Sequence, residues 1–401
     1  MSHAQVFIPY GGYWCTPFSK WQGSFATAEP IPFAAEIARR AIDERGIDGK
    51  VFDGICLGTT IPSRGSFYGA PWLAGLMGLD TITGPTISQA CATSARCLAY
   101  GAEQLSTGAA QIFLAVAADR TSNGPHIYYP DPSGPGGTGK SENWVLDNFG
   151  RDPLARCAMV ATAENVARAS EISRQEQEEV ALLRHRQYQR ALDDDRAFQR
   201  RYMVTPVEVK SARGKVLASV SGDEGVFPTD AEKLARLRPV VEGGSVTFGT
   251  QTHPADGNAG MILTSRERAR ELAREPGIEI QLLAAGQGRV ARAMMPQANV
   301  PAARQALDRA GVAVDELAAV TTHLPFAVGD VYLSRELGIP LERMNRYGCS
   351  LIWGHPQAPT GLRAVIELIE DLAATGGGYG LFTGCAAGDT AMALVLKVSV
   401  S

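Results

Sequence analysis

The sequence predicts a layered α/β protein made of two similar halves with an insertion between them. Three observations carry this expectation. Short, almost wholly apolar runs such as Gln111-Ile-Phe-Leu-Ala-Val-Ala-Ala read as strands buried on both faces. They alternate with stretches whose apolar residues recur at three- and four-residue spacing, the pattern of helices packed on a sheet. Finally, Thr107-Gly108-Ala-Ala-Gln-Ile-Phe-Leu114 is similar to Thr375-Gly376-Gly-Gly-Tyr-Gly-Leu-Phe382. Each reads as a helix end, a glycine turn and a buried strand, as in a duplicated unit.

Taken in order, Gln5-Val-Phe-Ile is the first strand, followed by a polar, aromatic loop through Thr16-Pro17-Phe18. Residues 31–45 form a helix that Gly46 closes. A strand at 51–57 and a short helix at 69–79 lead to Gly84-Pro-Thr-Ile-Ser-Gln-Ala-Cys91, an apolar run that breaks at Cys91, where helical spacing begins at once. Around Asp119 the texture changes. Residues 121–155 are rich in proline, glycine and aromatics, which predicts an insertion or cap. Within it, Gly134-Pro-Gly-Gly-Thr-Gly139-Lys140-Ser141 fits the phosphate-loop pattern letter for letter. That motif works through a buried strand before it and a long helix after it, and neither is present, so a flexible glycine-rich loop is expected. Helices follow at 155–169 and 173–192, the second opened by a capping box of Ser173 and Glu176. The basic stretch from Arg184 to Arg201 is interrupted by Asp193, Asp194 and Asp195 and reads as a solvated helix face. Residues 204–209 and 245–250 are strand candidates. Beyond Leu263 the alternation resumes: strand 279–285, helix 300–311, strand 318–322 ending at His323, and helix 331–338. Helix 361–375 carries one broad apolar face, and 390–400 is the final strand.

At 401 residues the chain is long enough for two or three domains, and 45 % hydrophobic with 20 % charged residues fits a soluble globular protein. A formal net charge of −4 gives no global electrostatic case for nucleic acid. The seven cysteines, at 15, 56, 91, 97, 157, 349 and 385, form no C-x-x-C pair. Their scatter argues for a reducing, cytoplasmic setting rather than a disulfide framework. The six histidines show no metal-ligand spacing, so no metal is expected. A basic-then-apolar leader is absent and no apolar run reaches about 18 residues, so neither a signal peptide nor a membrane span is expected.

Chemistry gathers around Cys91. A sulfur at a helix start meets unpaired backbone N–H groups and a dipole that favour the thiolate. The simpler alternative is a small buried cysteine. What favours chemistry is that His323, His355 and Cys385 likewise sit where strand-like or apolar runs end.

These residues lie in motifs that resemble the thiolases essentially from end to end. Thr16-Pro17-Phe18 is similar to the family's R-T-P-F loop, with Cys15 in place of Arg, and Gln89-Ala-Cys91-Ala-Thr-Ser94 resembles its nucleophile segment. Met159 with Thr162-Ala163-Glu164-Asn165-Val166-Ala167 resembles M-G-x-T-A-E-N-V-A. Asp256-Gly257 resembles the N-A-S-G-x-x-D-G segment, with Thr252 at its serine. His323-Leu-Pro-Phe326-Ala is similar to N-E-A-F-A or its H-E-A-F-A variant. Gly354-His355-Pro356 with Thr360-Gly361 resembles G-H-P-x-x-x-[ST]-G, and Cys385 falls at the second catalytic cysteine.

The resemblance implies a thiolase fold: duplicated βαβαβαββ halves in five layers, α-β-α-β-α. Residues 1–119 with 247–265 would form the first half, 120–246 an inserted loop domain that caps the site, and 266–401 the second half. It implies a 3-ketoacyl-CoA thiolase of the H-E-A-F degradative type, an acyltransferase acting on coenzyme A esters with no permanently bound cofactor, and a homodimer or tetramer. Cys91 would be the nucleophile, His355 its base, Cys385 the second acid/base, and His323 an oxyanion donor with His355. The backbone N–H groups of Cys91 and Ala387 would form a second oxyanion hole. Met159, Thr252, Met295 and Phe326 would contact coenzyme A or substrate.

Several positions depart from the family. Leu324 and Pro325 replace Glu-Ala, Ala386 and Ala387 replace glycines after the second cysteine, Gln357-Ala358-Pro359 replaces a small, glycine-containing run, and Phe227 stands where many members carry an arginine near the adenine of coenzyme A. Two other readings therefore stay open: a decarboxylating condensing enzyme of the ketoacyl synthase kind, built on Cys91, His323 and His355, and a thiolase-like subunit that is non-catalytic or acts only with a partner subunit.

Overall fold

The computed structural model describes residues 6–211 and 213–401; Gln5, the first residue of the first predicted strand, lies outside them. The first half contains β1 (Phe7–Pro9), β2 (Tyr13–Cys15), β3 (Ser19–Lys20), α1 (Pro30–Glu44), β4 (Gly54–Gly58), α2 (Gly69–Leu76), β5 (Thr86–Ile87), α3 (Thr93–Ser106) and β6 (Ile112–Arg120). An excursion follows through β7 (His126–Tyr129), β8 (Lys140–Asn143), α4 (Trp144–Gly150), α5 (Met159–Ala169), α6 (Arg174–Arg196), β9 (Val207–Lys210), β10 (Val216–Val220) and α7 (Ala231–Ala235). The chain returns in β11 (Ala255–Thr264) and α8 (Arg266–Leu272). It then builds β12 (Ile278–Arg289), α9 (Asn299–Ala310), β13 (Leu317–His323), α10 (Ala327–Leu337), α11 (Ser350–Trp353), α12 (Thr360–Ala374), β14 (Gly377–Ala386) and β15 (Thr390–Val400).

The two halves repeat one plan. In the first, β4 and β6 are parallel with β6 beside antiparallel β11; in the second, β13 and β14 are parallel with β14 beside antiparallel β15. Helices α3 and α12 occupy the corresponding crossovers. β1 pairs with both β11 and β12, so the two sheets are hydrogen-bonded into one path.

Side-chain alternation along the strands sorts the core into layers. On β6, Ile112, Leu114, Val116 and Ala118 pack with α1 and α2, whereas Phe113, Ala115 and Ala117 pack with α3 and α12. On β15, Ala391, Ala393 and Val395 join α9 and α10, whereas Met392, Leu394, Leu396 and Val398 face the same central helices. The result is α-β-α-β-α, with α3 and α12 between two sheets.

Several expectations change. Strand 245–250 is absent: those residues form turns, and Glu164 of α5 accepts from Ser245 N (2.9 Å) and Val246 N (2.8 Å). β9 pairs instead with β10. The phosphate-loop match lies in the β7–β8 hairpin, with Lys140 and Ser141 beginning a strand rather than a helix. Arg184 is not on a solvated face. It is fully buried and its guanidinium donates to Asp330 Oδ1 at 2.7 Å, because α6 packs against α10. α12 is buried on nearly every side rather than on one face. Its charged residues are paired: Arg363 with Asp223 (2.6 Å) and Glu367 (3.0 Å), and Glu370 accepting from Tyr10 (2.9 Å) and Tyr13 (2.7 Å). Among the described residues no helix is long and apolar enough to cross a membrane.

Candidate active site

Cys91 sits in the turn between β5 and α3. Thr93 Oγ1 accepts from Gln89 N at 2.8 Å and donates to Ala90 O at 2.7 Å, which closes the turn. Ala90 takes a left-handed φ of 45°, a strained conformation for a residue with a Cβ, immediately before the sulfur.

The second half supplies the rest. His355 lies between α11 and α12, held by its backbone N–H to His253 O (2.9 Å) and its carbonyl to Ala255 N (3.2 Å). Its Nε2 stands 3.1 Å from Cys91 Sγ and its Nδ1 2.6 Å from Thr360 Oγ1. With Nδ1–H donating to Thr360, the Nε2 lone pair faces the thiol. His323, the last residue of β13, stacks on His355 with ring centroids 4.0 Å apart. Its Nδ1 lies 2.7 Å from Ser350 Oγ, while its buried Nε2 has no protein partner. Cys385, on β14, is buried with its thiol 3.9 Å from His323 O. The parallel register His323↔Gly384 places that cysteine one residue beyond the strand position opposite His323.

Desolvation keeps this cluster neutral. Burial pushes the Cys91 thiol up to about 12, against the pull of the Ala387 and Cys91 backbone N–H groups. Burial also raises Cys385 strongly, helped by the nearby Cys91. His323 is lowered to about 3 by burial, and His355 is lowered by burial and by the neighbouring His323. The resting state is therefore a thiol beside neutral imidazoles, with the His355 Nε2 lone pair placed to receive the thiol proton. The Cys91 sulfur and a ring nitrogen of each histidine lie within 4.8 Å of one another, donor spacing that also suits a metal ion and that the sequence alone does not display.

Cys91, His355 and Ala387 open onto a cavity of about 440 Å³, with His323 and Cys385 behind its lining. Met159, Thr252, Met295 and Phe326 all line it, together with Trp144, Phe149 and Gln357. Thr252 is fixed by its hydroxyl to Ser350 O (2.5 Å) and its N–H to Pro325 O (2.7 Å).

Sequence reasoning did not assign roles to Gln357, Asp119, Ser350 or Asn299. Gln357 Oε1 accepts from the Cys91 thiol at 3.3 Å. Asp119, at the end of β6, accepts from Thr59, Thr60 and Ile61 and from Ala358 N beside Gln357. A lone acid closing an apolar strand was the available signal for Asp119. Ser350, and Asn299, whose Oδ1 accepts from Thr383 Oγ1 at 3.3 Å two residues before Cys385, had none. Phe227, in contrast, is exposed, with the Lys20 ammonium 5.9 Å from its ring centroid.

The chain matches the family models for the thiolase N-terminal domain over residues 13–267 and the thiolase C-terminal domain over 278–398. It is 27 % identical to an acetyl-CoA acetyltransferase of Pseudomonas aeruginosa, covering 95 % of this chain and 96 % of that protein. It is 26 % identical to a steroid 3-ketoacyl-CoA thiolase of Mycobacterium tuberculosis, covering 95 % and 92 %. The fold superposes with a TM-score of 0.90 on the acetyl-CoA acetyltransferase of Bacillus anthracis, at 27 % identity over 98 % of this chain and 99 % of that one. A TM-score of 0.90 also relates it to human mitochondrial 3-ketoacyl-CoA thiolase, at 24 % identity over 99 % and 100 % of the two chains. The chain belongs to the thiolase family, a family of acyltransferase enzymes.

Proposed function

We propose that this protein cleaves a 3-ketoacyl-CoA with coenzyme A through an acyl group carried on Cys91, a reaction that also runs in reverse as a Claisen condensation. His355 Nε2 takes the thiol proton, and the sulfur attacks the keto carbon. The N–H groups of Cys91 and Ala387 receive the resulting oxyanion. Collapse breaks the carbon–carbon bond and leaves the enolate of acetyl-CoA, whose thioester oxygen would accept from His323 and His355. The Cys385 thiol then protonates the α-carbon; its thiolate takes the proton of the incoming coenzyme A thiol, whose sulfur displaces Cys91 from the acyl group, and the proton held on His355 returns to the Cys91 sulfur. Each step uses side chains and backbone alone, so no permanently bound cofactor is invoked. The segment 120–246 supplies Trp144, Phe149 and Met159 to the cavity, which supports its role as a cap over the acyl-CoA.

The observation that carries this reading is the 3.1 Å contact between Cys91 Sγ and His355 Nε2, with Ala387 N–H directed at the same sulfur. Intact-protein mass spectrometry after incubation with a panel of 3-ketoacyl-CoA esters tests it. An acyl adduct lost in Cys91→Ala is expected, with coenzyme A-dependent thiolysis. Absence of both adduct and thiolysis for every ester defeats the proposal. The stacked His323 and His355 beside Cys91 also fit a decarboxylating condensation, and product formation that requires a malonyl thioester would select that reading.

A further inference from the structure

Proton transfer from Cys91 to His355 creates a cation in a poor place for one. His355 is buried and stacked on a second imidazole, and its Nδ1 faces a hydroxyl, not a carboxylate. Cysteine–histidine pairs elsewhere are steadied by an acceptor that orients the imidazolium. Here one candidate touches the pair. Gln357, only 6 % exposed yet part of the cavity wall, places Oε1 3.3 Å from Cys91 Sγ, the same sulfur that His355 Nε2 meets at 3.1 Å.

The segment carrying Gln357 is clamped. Its φ of 65° is left-handed, a conformation that costs a glutamine energy and that the surroundings impose. Ala358 N donates to Asp119 Oδ2 at 2.9 Å, Thr360 N donates to Gln357 O at 3.3 Å, and Ser94 Oγ of α3 donates to Ala358 O. A long polar side chain fixed this firmly against a nucleophile is not there to fill space.

We propose that Gln357 is a positioning residue for the proton transfer: its carbonyl oxygen stands beside the sulfur as a second acceptor for the one proton that Cys91 and His355 share and, once that proton has moved to Nε2, accepts from the new N–H and steadies the imidazolium. The bond broken is S–H, the bond formed is Nε2–H, and the carboxamide changes neither its charge nor its protonation. The carbonyl end suits the imidazolium, because after the transfer only Nε2–H presents the shared proton. A carboxylate would steady the imidazolium but strongly oppose the neighbouring thiolate; a neutral acceptor does the first at a smaller cost to the second.

The inference rests on the assignment of Cys91 as nucleophile and His355 as base, and the test separates the two. The rate of Cys91 alkylation by iodoacetamide is measured against pH on the whole protein without substrate, with the site confirmed by mass spectrometry. Asp119, His253, His323 and Cys385 face the pair from the surrounding elements and stay unchanged in every variant. Gln357→Met keeps the length without the acceptor, and Gln357→Asn keeps the amide but falls short. Each is expected to slow alkylation near neutral pH about tenfold, moving the inflection up by about one unit. In thiolysis kcat falls while KM for coenzyme A holds. Should His355→Ala shift the profile and both Gln357 variants leave it at the wild-type position, the inference is overturned and the base assignment stands. Should His355→Ala leave the profile unmoved as well, the base assignment itself falls. If Gln357→Met does not fold, Gln357→Asn decides alone.

Discussion

Asp119→Asn separates stability from reactivity. The Asp119 carboxylate accepts from Thr59 Oγ1 (2.8 Å), Thr60 N (2.9 Å), Thr60 Oγ1 (2.7 Å), Ile61 N (3.1 Å) and Ala358 N (2.9 Å). It thereby ties the cavity-lining residues Thr60 and Ile61 to the segment that carries His355 and Gln357. Burial nevertheless pushes this acid up to about 6, against the pull of those donors. A folded value about two units above the unfolded one means that the folded state loses stability as pH rises from about 4 through 6, by about 3 kcal/mol. An amide removes that charge-burial cost. It also turns an NH₂ group toward one set of donors. The Thr60 hydroxyl can rotate to accept, whereas Ala358 N–H cannot, and an orphaned buried donor costs about 1–3 kcal/mol. At pH 7.5 the two effects offset, so urea unfolding should change by less than about 2 kcal/mol. At pH 5, where the wild type has recovered part of its cost, the variant should be the weaker by a larger margin. Reactivity has no such offset. Loss of the Ala358 tether displaces the neighbouring Gln357 and His355, and misplacement of about 1 Å costs on the order of 100-fold. Thiolysis and Cys91 alkylation should therefore both fall by about 10- to 100-fold. Wild-type rates in a folded Asp119→Asn protein would refute the reasoning.

Three further predictions follow from the same geometry. Thr360→Val removes the Nδ1 partner of His355 and should lower kcat about tenfold with little effect on unfolding, read by steady-state thiolysis and urea melts. Cys385→Ala should still take an acetyl group from acetyl-CoA onto Cys91, read by mass spectrometry, but lose at least about 100-fold in thiolysis, because the α-carbon no longer has its proposed acid/base. Arg363→Met leaves Asp223 and Glu367 buried without their cation and should cost about 3–5 kcal/mol in urea unfolding at pH 7.5.

What could be read from the chain alone follows a physical rule. Strands whose neighbours on both faces are helices advertise themselves as apolar runs, and β6 and β15 were legible for that reason. β11 was not, although all ten of its residues are buried. Its Gly257 and Gly260 lie where a Cβ would come within 2.6 Å of Phe18 and 2.2 Å of Trp14, so aromatic rings from the preceding segment fill the space its own side chains would take. Asp256 accepts from Thr121 Oγ1 (3.2 Å) and Ser122 N (2.9 Å). A strand of small and polar residues satisfied from outside looks like a loop in sequence. α12 misled in the opposite sense: its apolar stripe was visible, but the partners that let Arg363, Glu367 and Glu370 be buried are more than a hundred residues away, apart from the Arg363–Glu367 pair itself. The four candidate catalytic side chains were reached through resemblance to the thiolases, since nothing in local spacing joins Cys91 to residues 323–385. Their supports, Gln357, Asp119 and Ser350, act through contacts that no motif spells out.

Duplication explains why the site lies where it does. Each half enters its crossover helix through a tight turn, with Cys91 just ahead of α3 and His355 just ahead of α12. The two helix starts meet in the central layer. A Cβ on Gly361 would stand 3.1 Å from Ser94 Cβ, and Ser94 Oγ donates to Ala358 O. Contact between the helices thus sets the distance between Cys91 and His355, while the neighbouring strands β13 and β14 bring His323 and Cys385 to the same end. A pair assembled this deep can hold no standing charge, because burial disfavours both thiolate and imidazolium. On the proposed mechanism, catalysis then depends on neutral groups arranged for a short-lived proton shift: backbone N–H groups at the sulfur, hydroxyls behind each imidazole, and a carboxamide across the shared proton.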